Sequence, residues 1–585
     1  MKYVESVRTP SWLSLALTGL LCLSACGDES APQPDDTTTE TAQSALANAS
    51  TTADHSYLRR TLADGAEFHA TNGMEMGPDG NLYVASVLGR EIGVVNPRSG
   101  KILDRIGIER GVDSPDDLEF GPDGSLYWTS FLTGEVGRLK PDGTKVTVAQ
   151  LGPGVNAIAM SPDGRLFVTR VFLGDELYEL DPDGNAPPQL VTSGMGGLNS
   201  MEFGPDGHLY GPLWFAGSVA RIDVDNGTVT PIFGGLQVPA AVKFNSQGLL
   251  HVVDQAAGEV VTYDLNTGTT QVVAQVDEAG ADNLAIDARG DIYLTNAHDG
   301  WVRKVLPNGK TRSLTDEGMV APGGVAVLPY DGGTSVFTSD ALSVKAYDVQ
   351  TGQMTLEAHS VIGVSPLATP ISATADNGRL LTTSWFANVV QTWDPALHTV
   401  VESHQDFAVP LNAVRYNGDL VVAELATHRV VRRPAGTNAK VPMAGVPVPT
   451  GLATDGDSLW VADWATGRVL RIAQGGQALA TPELVAAGLS FPEGMTLDND
   501  GTLLVVETGT DKLTRIDPAT GQKTVVEDGL DIGMQGPATM PPTYIFNDVD
   551  VDDCGNIYVS VDTDNTIEKL APLGAGAPGC TNGSK

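Results

Sequence analysis

Residues 69–100, HATNGMEMGPDGNLYVASVLGREIGVVNPRSG, decide the fold. They predict three short strands joined by tight turns: one beginning at Met74–Met76, one over Leu82–Ala85, one over Ile92–Val95. Gly-Pro-Asp-Gly at 77–80 is a hairpin turn: Pro78 fixes φ, Asp79 can accept from nearby backbone, and Gly80 takes positive φ. Asn96-Pro97-Arg98-Ser99-Gly100 then turns the chain into a fourth strand, Lys101 to Ile106.

The same unit recurs to the end of the chain. Its first-hairpin glycines are Gly80, Gly124, Gly164, Gly207, Gly248 and Gly290, then Gly332, Gly378, Gly418, Gly456, Gly501 and Gly555. A period near 40 residues with four short strands per unit is the pattern of propeller blades. No stretch sustains helical periodicity over two or more turns, which disfavours a helical solenoid. Twelve units exceed the usual size of one ring, so the sequence predicts an all-β chain of two tandem six-bladed β-propellers, 56–316 and 317–573, with a tail at 574–585, and a seven-plus-five split as the weaker alternative. The last unit ends on its third strand, Thr566 to Leu570. Each ring is therefore expected to close with a leading outer strand: Tyr57–Ala63 in the first ring and Thr311–Thr315 in the second.

Ahead of the rings, residues 1–25 form a leader. Lys2 and Arg8 precede an apolar run, Trp12 to Ser24, too short to span a bilayer as a stable helix. Leu23-Ser24-Ala25-Cys26 resembles the bacterial lipobox, which implies a lipid on Cys26. Gly27 after it lacks the Asp associated with inner-membrane retention, so the outer membrane is the expected location of an exported lipoprotein. Residues 26–55 are polar and rich in Pro, Thr and Ser, a composition that cannot offset ordering entropy, and they read as a tether.

Composition narrows the partners. Apolar residues are 41%, charged residues 18%, and the formal net charge is −37. Such acidity argues against nucleic acid and against any membrane contact of the body beyond the lipid. The chain is expected to act as a monomer on a small-molecule substrate or a surface ligand. Of four cysteines, Cys22 leaves with the leader and Cys26 carries lipid. Cys554 and Cys580 are then expected to form a disulfide, contributing ~3 kcal/mol through the unfolded chain.

Strand one of a blade lies innermost, so its entry residue looks into the central channel. Aligned on Asn72, the first ring supplies Asn72, Asp116, Asn156, Asn199, Ala240 and Asp282. The second supplies Gly323, Pro370, Asn412, Thr450, Glu493 and Asn547. Amides and carboxylates converging on an axis suit a hard divalent cation, Ca²⁺ before others. The ends of second strands add Ser86, Ser130, Arg170, Asp254 and Asn296, with His298 two residues on. In the second ring they add Asp340, Ser384, Glu424, Asp463, Glu507 and Asp562. A crown of carboxylates requires solvent, a cation or basic partners. Phe131, Phe172, Trp214, Phe215, Trp385, Phe386 and Trp464 lie nearby and could wall an apolar pocket.

Several of these segments resemble known families. SPDDLEFGPDGSLYWTS (114–130), VNAIAMSPDGRLFVT (155–169), ADNLAIDARGDIYLTNAHDG (281–300) and NAVRYNGDLVVAELATHRVV (412–431) are similar to paraoxonase-type lactonases. PTGLATDGDSLWVADWATGRVLRI (449–472) and FPEGMTLDNDGTLLVVETGTDKLTRID (491–517) resemble the gluconolactonase/senescence-marker and strictosidine-synthase-like groups. NHL repeats are a non-enzymatic relative of the same architecture. The resemblance implies six-bladed calcium-type propellers with an axial metal. By position it points to Asn156, Asn199, Asp282 and Asn283 as ligands in the first ring, and to Asn412, Glu493 and Asn547 in the second. Asp116 or Asp117 stands where the families usually carry Glu. His298 follows the Asp282 strand much as a pocket histidine does in the paraoxonases, and their His–His catalytic pair has no counterpart.

No GxSxG elbow, HExxH helix, P-loop or GxGxxG turn is present. The expected chemistry is metal-assisted hydrolysis of a lactone or ester at the mouth of the first ring, with Asp282 or His298 moving the proton. The alternative is a non-enzymatic propeller that binds a protein, glycan or small ligand.

Overall fold

The computed structural model describes residues 56–276 and 280–573. Leader, tether, tail and Cys580 lie outside the described residues. Apart from one short 3-10 turn, Ile108–Arg110, the described elements are strands, arranged in twelve four-stranded antiparallel sheets. Blade 1 comprises Thr71–Met76, Leu82–Ser86, Glu91–Val95 and Ile102–Ile106, within a residue or three of the expected bounds. The Gly-Pro-Asp-Gly turn forms as expected: Gly80 has φ +77, and Asp79 Oδ1 accepts from the Asn81 N–H at 3.1 Å.

The first compact unit is Ala66–Val320 and holds blades 1–6. Its ring closes where the innermost strand Thr71–Met76 packs on Ala281–Ile286 of blade 6. Thr71 Oγ1 donates to the Asn296 carbonyl (2.8 Å) and Thr295 Oγ1 to the Asn72 carbonyl (2.7 Å) across that seam. Phe68, Met74, Leu82 and Val84 of blade 1 share a buried cluster there with Ala285, Tyr293 and Val302 of blade 6. Apolar residues thus pack between blades, leaving the channel to polar side chains.

The second unit combines the described residues up to Gly65 with those from Ala321 onward and holds blades 7–12. Val325–Tyr330 packs on Val549–Val551, and the Val327 N–H donates to Asp550 Oδ2 (2.8 Å) to close the ring.

The leading strand is not where the sequence reading put it. Tyr57–Ala63 pairs antiparallel with Thr566–Pro572 and is the fourth strand of blade 12, in the second ring. Thr311–Ser313, expected to open the second ring, is the fourth strand of blade 6. The reason is local. The Leu306–Lys310 turn, with Gly309 at φ +78, folds Thr311–Ser313 back on Val302–Val305, so blade 6 is complete without help. Blade 12 alone lacks a fourth strand of its own. Thr61 Oγ1 (2.7 Å) and Arg59 Nε (3.2 Å) both donate to Glu568, fixing the register. The first ring is therefore an insertion between two segments of the second.

Candidate functional site

The innermost strands of the first ring carry bulges where they enter the sheet. Register slips between Thr71 and Met74, Pro115 and Leu118, Val155 and Ile158, and Ala281 and Leu284. Each bulge holds one extra residue and turns its side chain away from the pleat, and these are the segments that contain Asn72, Asp116, Asn156 and Asp282. Blades 7 and 8 of the second ring, with Gly323 and Pro370 as entries, have regular ladders. Close approach of neighbouring strands accompanies the bulge: a Cβ on Gly73 would lie 2.4 Å from the Asp116 carbonyl oxygen.

At this level of the first ring, buried oxygens are left over. Asp116 is 3% exposed and its Oδ1 has no hydrogen-bond partner. Asn199 donates from Nδ2 to the Ala240 carbonyl (3.0 Å), leaving Oδ1 unpartnered. Asp282 accepts Gln255 Nε2 on Oδ1 (2.9 Å), leaving Oδ2 unpartnered, and Gln255 Oε1 is likewise without a partner. Burial, then the charges of Asp282 and Asp117, push Asp116 well above the usual carboxylate range. Burial, then Asp117, raises Asp282 to about 7. Buried carboxylate and amide oxygens without partners are the donor types that a hard cation prefers.

The other expected residues are placed as follows. Asn156 is buried and Asn72 half-buried at their strand entries. Asn283 Oδ1 accepts the Leu284 N–H at 2.8 Å, so that oxygen is already partly engaged. The His298 ring is buried in blade 6, where a Cβ added to Gly280 would stand 2.9 Å from its Nδ1. Of the second-ring candidates Asn412, Glu493 and Asn547, it is Asn412 whose side-chain oxygen lacks a hydrogen-bond partner. Asn547 accepts the Gly533 N–H (2.9 Å) and donates to the Ser560 carbonyl (3.3 Å), while Glu493 accepts the Asn547 N–H (2.9 Å). Burial, then Asp562, pushes Glu493 well up. That axis is satisfied largely by its own backbone.

The carboxylate crown has a structural explanation. Asp254 accepts the N–H groups of Gln237 and Val238 (2.8 and 2.9 Å), and Asp562 those of Gly533 and Met534 (2.9 and 2.7 Å). Asp340, Glu424, Asp463 and Glu507 likewise receive the Ala321, Ala408, Val448 and Ser490 N–H groups. Each acid clamps the loop that feeds strand one of its own blade. Asp562→Ala should therefore strand the Met534 N–H, while Gly533 keeps Asn547 Oδ1, and destabilise the second ring by about 1–3 kcal/mol, read from its urea midpoint. An unchanged midpoint would deny the clamp.

Deeper in the first ring lies a layer the sequence reading passed over. Glu75, Glu119, Glu202 and Lys243 stand three residues beyond the entries Asn72, Asp116, Asn199 and Ala240. Lys243 Nζ meets Glu75 Oε2 at 2.5 Å. Burial opposes the Lys243 charge, but Glu75, Glu202, Glu119 and Asp117 together push its ammonium well up. Burial, then Glu75, raises Glu119 to about 8, and burial raises Glu202 to about 7 against the pull of Lys243. This layer carries its own fixed cation, and no ion pair of Asp116 or Asp282 with a basic side chain occurs among the described residues.

On the same face, Phe131 and Phe172 pack edge-to-face at 6.2 Å, and Phe172 meets Trp214 at 5.3 Å and Phe215 at 6.0 Å. These rings follow the second strands of blades 2, 3 and 4, opposite in the ring to the polar residues of blades 5, 6 and 1.

The family model described as SMP-30/Gluconolactonase/LRE-like region matches residues 118–322, which span blades 2–6. The superfamily resemblance read from the sequence therefore holds for this part of the chain. No curated protein matches the sequence. Among solved structures, a virginiamycin B lyase from Staphylococcus aureus is similar at 15% identity, covering 48% of this chain and 95% of that one, with a TM-score of 0.36. A protein of unknown function from Bacteroides caccae is similar at 16% identity, covering 39% and 90%, with a TM-score of 0.33.

Proposed function

We propose that the first ring is a metal-dependent hydrolase of lactones or esters. One observation supports this reading above the others: four buried oxygens of the entry layer, on Asp116, Asn199, Gln255 and Asp282, lack hydrogen-bond partners. A bound divalent cation, Ca²⁺ by its preference for oxygen donors, would polarise the substrate carbonyl. Asp116, Asn199 and Asp282 would hold it, with Asn72 and Asn156 at neighbouring entries. His298, inside blade 6 beside the Asp282 strand, is the residue placed to pass a proton between water and the leaving oxygen. Phe131, Phe172, Trp214 and Phe215 exclude water on one side and receive the apolar part of the substrate.

The leader and tether suit an exported protein held by lipid on Cys26 at the outer membrane. Cys554 lies in the turn between Val549–Val551 and Ile557–Val561, and a bridge to Cys580 would anchor the tail there. Mass measurement of the mature protein after alkylation should find lipid on Cys26 and no free thiol. A reactive Cys554 would remove the bridge.

The functional test is a panel of lactones and esters assayed with chelator and with added Ca²⁺. Turnover should vanish on chelation and return with Ca²⁺. Turnover indifferent to chelation would overturn the metal mechanism. Ca²⁺ binding with no turnover of any panel member would favour the binding-module reading.

A further inference from the structure

We propose that Gln255 is a ligand of the first-ring cation, its Oε1 supplying the oxygen that blade 5 lacks at its strand entry. The inference rests on the cation reading above. Blade 5 is the exception in this ring: its entry residue is Ala240, which has no side-chain donor and whose carbonyl is already engaged by Asn199 Nδ2 at 3.0 Å. Gln255 belongs to the same blade, directly after the clamp residue Asp254, and is 2% exposed.

The orientation of its amide follows from its partner. The Gln255 NH₂ group faces Asp282 Oδ1 and donates to it at 2.9 Å. Oε1 must then point away from that contact, and it is buried without a partner. The base of the side chain is fixed too, because the Gln255 carbonyl accepts the N–H groups of Gly280 (3.2 Å) and Gly258 (3.3 Å). Asn199 repeats the device on the other side of Ala240: its NH₂ is spent on the protein and its oxygen is left over.

A buried water accounts for this set poorly. The leftover atoms of Asn199 and Gln255 are amide oxygens that only accept, those of Asp116 and Asp282 accept when ionised, and one water offers two hydrogens. Two carboxylates and two neutral amide oxygens balance a divalent ion in charge and in ligand type.

Luminescence lifetimes of bound Tb³⁺ in H₂O and D₂O count the waters on the ion, and competition with Ca²⁺ gives relative affinity. Gln255→Ala should bind about tenfold or more weakly and carry one additional water. Gln255→Glu keeps the oxygen, so its water count should equal the wild type, with affinity kept or raised. Metal-free melting curves of each variant control for folding. Weaker binding with an unchanged water count in Gln255→Ala would overturn the proposal and leave Gln255 as a support for Asp282. Unchanged affinity and water count would overturn it as well, and so would loss of affinity in Gln255→Glu. Failure of the wild type to bind either ion would instead remove the cation reading itself.

Discussion

Deleting residues 56–63 should unfold the second ring while the first remains folded. Tyr57–Ala63 supplies the outer strand of blade 12 over six register pairs, from Tyr57 opposite Pro572 to Ala63 opposite Ile567. Each backbone bond contributes about 1 kcal/mol net, and the strand also brings Arg59 and Thr61 to Glu568 and Tyr57 to Arg515. Without it, Thr566–Pro572 becomes an exposed edge on a three-stranded blade at the seam of the ring. Loss of several such bonds is comparable to the whole stability of an ordinary domain. Hydrogen exchange should show blades 7–12 unprotected and blades 1–6 unchanged, and a peptide of residues 56–63 added in trans should restore protection by strand addition. Equal protection of both rings in the truncated chain would show that the strand does not hold the second ring closed.

Asp282→Ala should abolish cation binding, and with it the cation's contribution to stability. A ligand that binds only the folded state stabilises by about 2.7 kcal/mol at a hundred times its Kd. Added Ca²⁺ should raise the wild-type melting point of the first ring and leave that of Asp282→Ala unmoved. pH gives a second readout. Asp282 is raised from 3.8 to about 7 by burial and by Asp117, so the folded state holds its proton more tightly than the unfolded chain. That contribution to stability is fully present below pH 3.8 and is lost as pH rises through about 7. A shift of this size corresponds to roughly 4 kcal/mol. The metal-free first ring should therefore weaken between about pH 4 and 7, and Asp282→Asn should weaken less. Cation affinity should run the other way and increase with pH, because the ligands must lose their protons to bind. A metal-free stability that rises over the same window would show that Asp282 is not a buried, raised carboxylate.

Much of this was legible in the sequence because a propeller repeats its instructions. Asn72, Asp116, Asn156, Asn199 and Asp282 recur at one phase of the repeat, and phase is what places a residue on the axis. The leading strand was misassigned because proximity in sequence favoured blade 1. The missing outer strand after Leu570 was the better guide, and it pointed to blade 12. Glu75, Glu119, Glu202 and Lys243 were overlooked for a geometric reason. In a regular strand, residues three apart face opposite ways, but the entry bulge absorbs one residue and turns them to the same channel. The carboxylate crown reads as charge in need of solvent, a cation or basic partners, whereas its acids are fixed by backbone donors about 15 to 19 residues earlier in most blades. Gln255 lies in a turn, outside the phase that the alignment tracked. Its signal was indirect: a ring of oxygens interrupted at Ala240.

The pairing of Tyr57–Ala63 with Thr566–Pro572 also sets a timetable. Tyr57–Ala63 can find its partner only after Thr566–Pro572 has been made. At ~5–20 residues per second, the strand waits unpaired for tens of seconds or longer. The first ring needs nothing beyond Val320, so it can mature during that wait. A chain that stops early would carry a finished first ring and an open second one, with an unsatisfied strand at each end of the gap. Closure of the second ring therefore records that synthesis has passed Pro572, and its slow, sequence-distant contact should come late in folding.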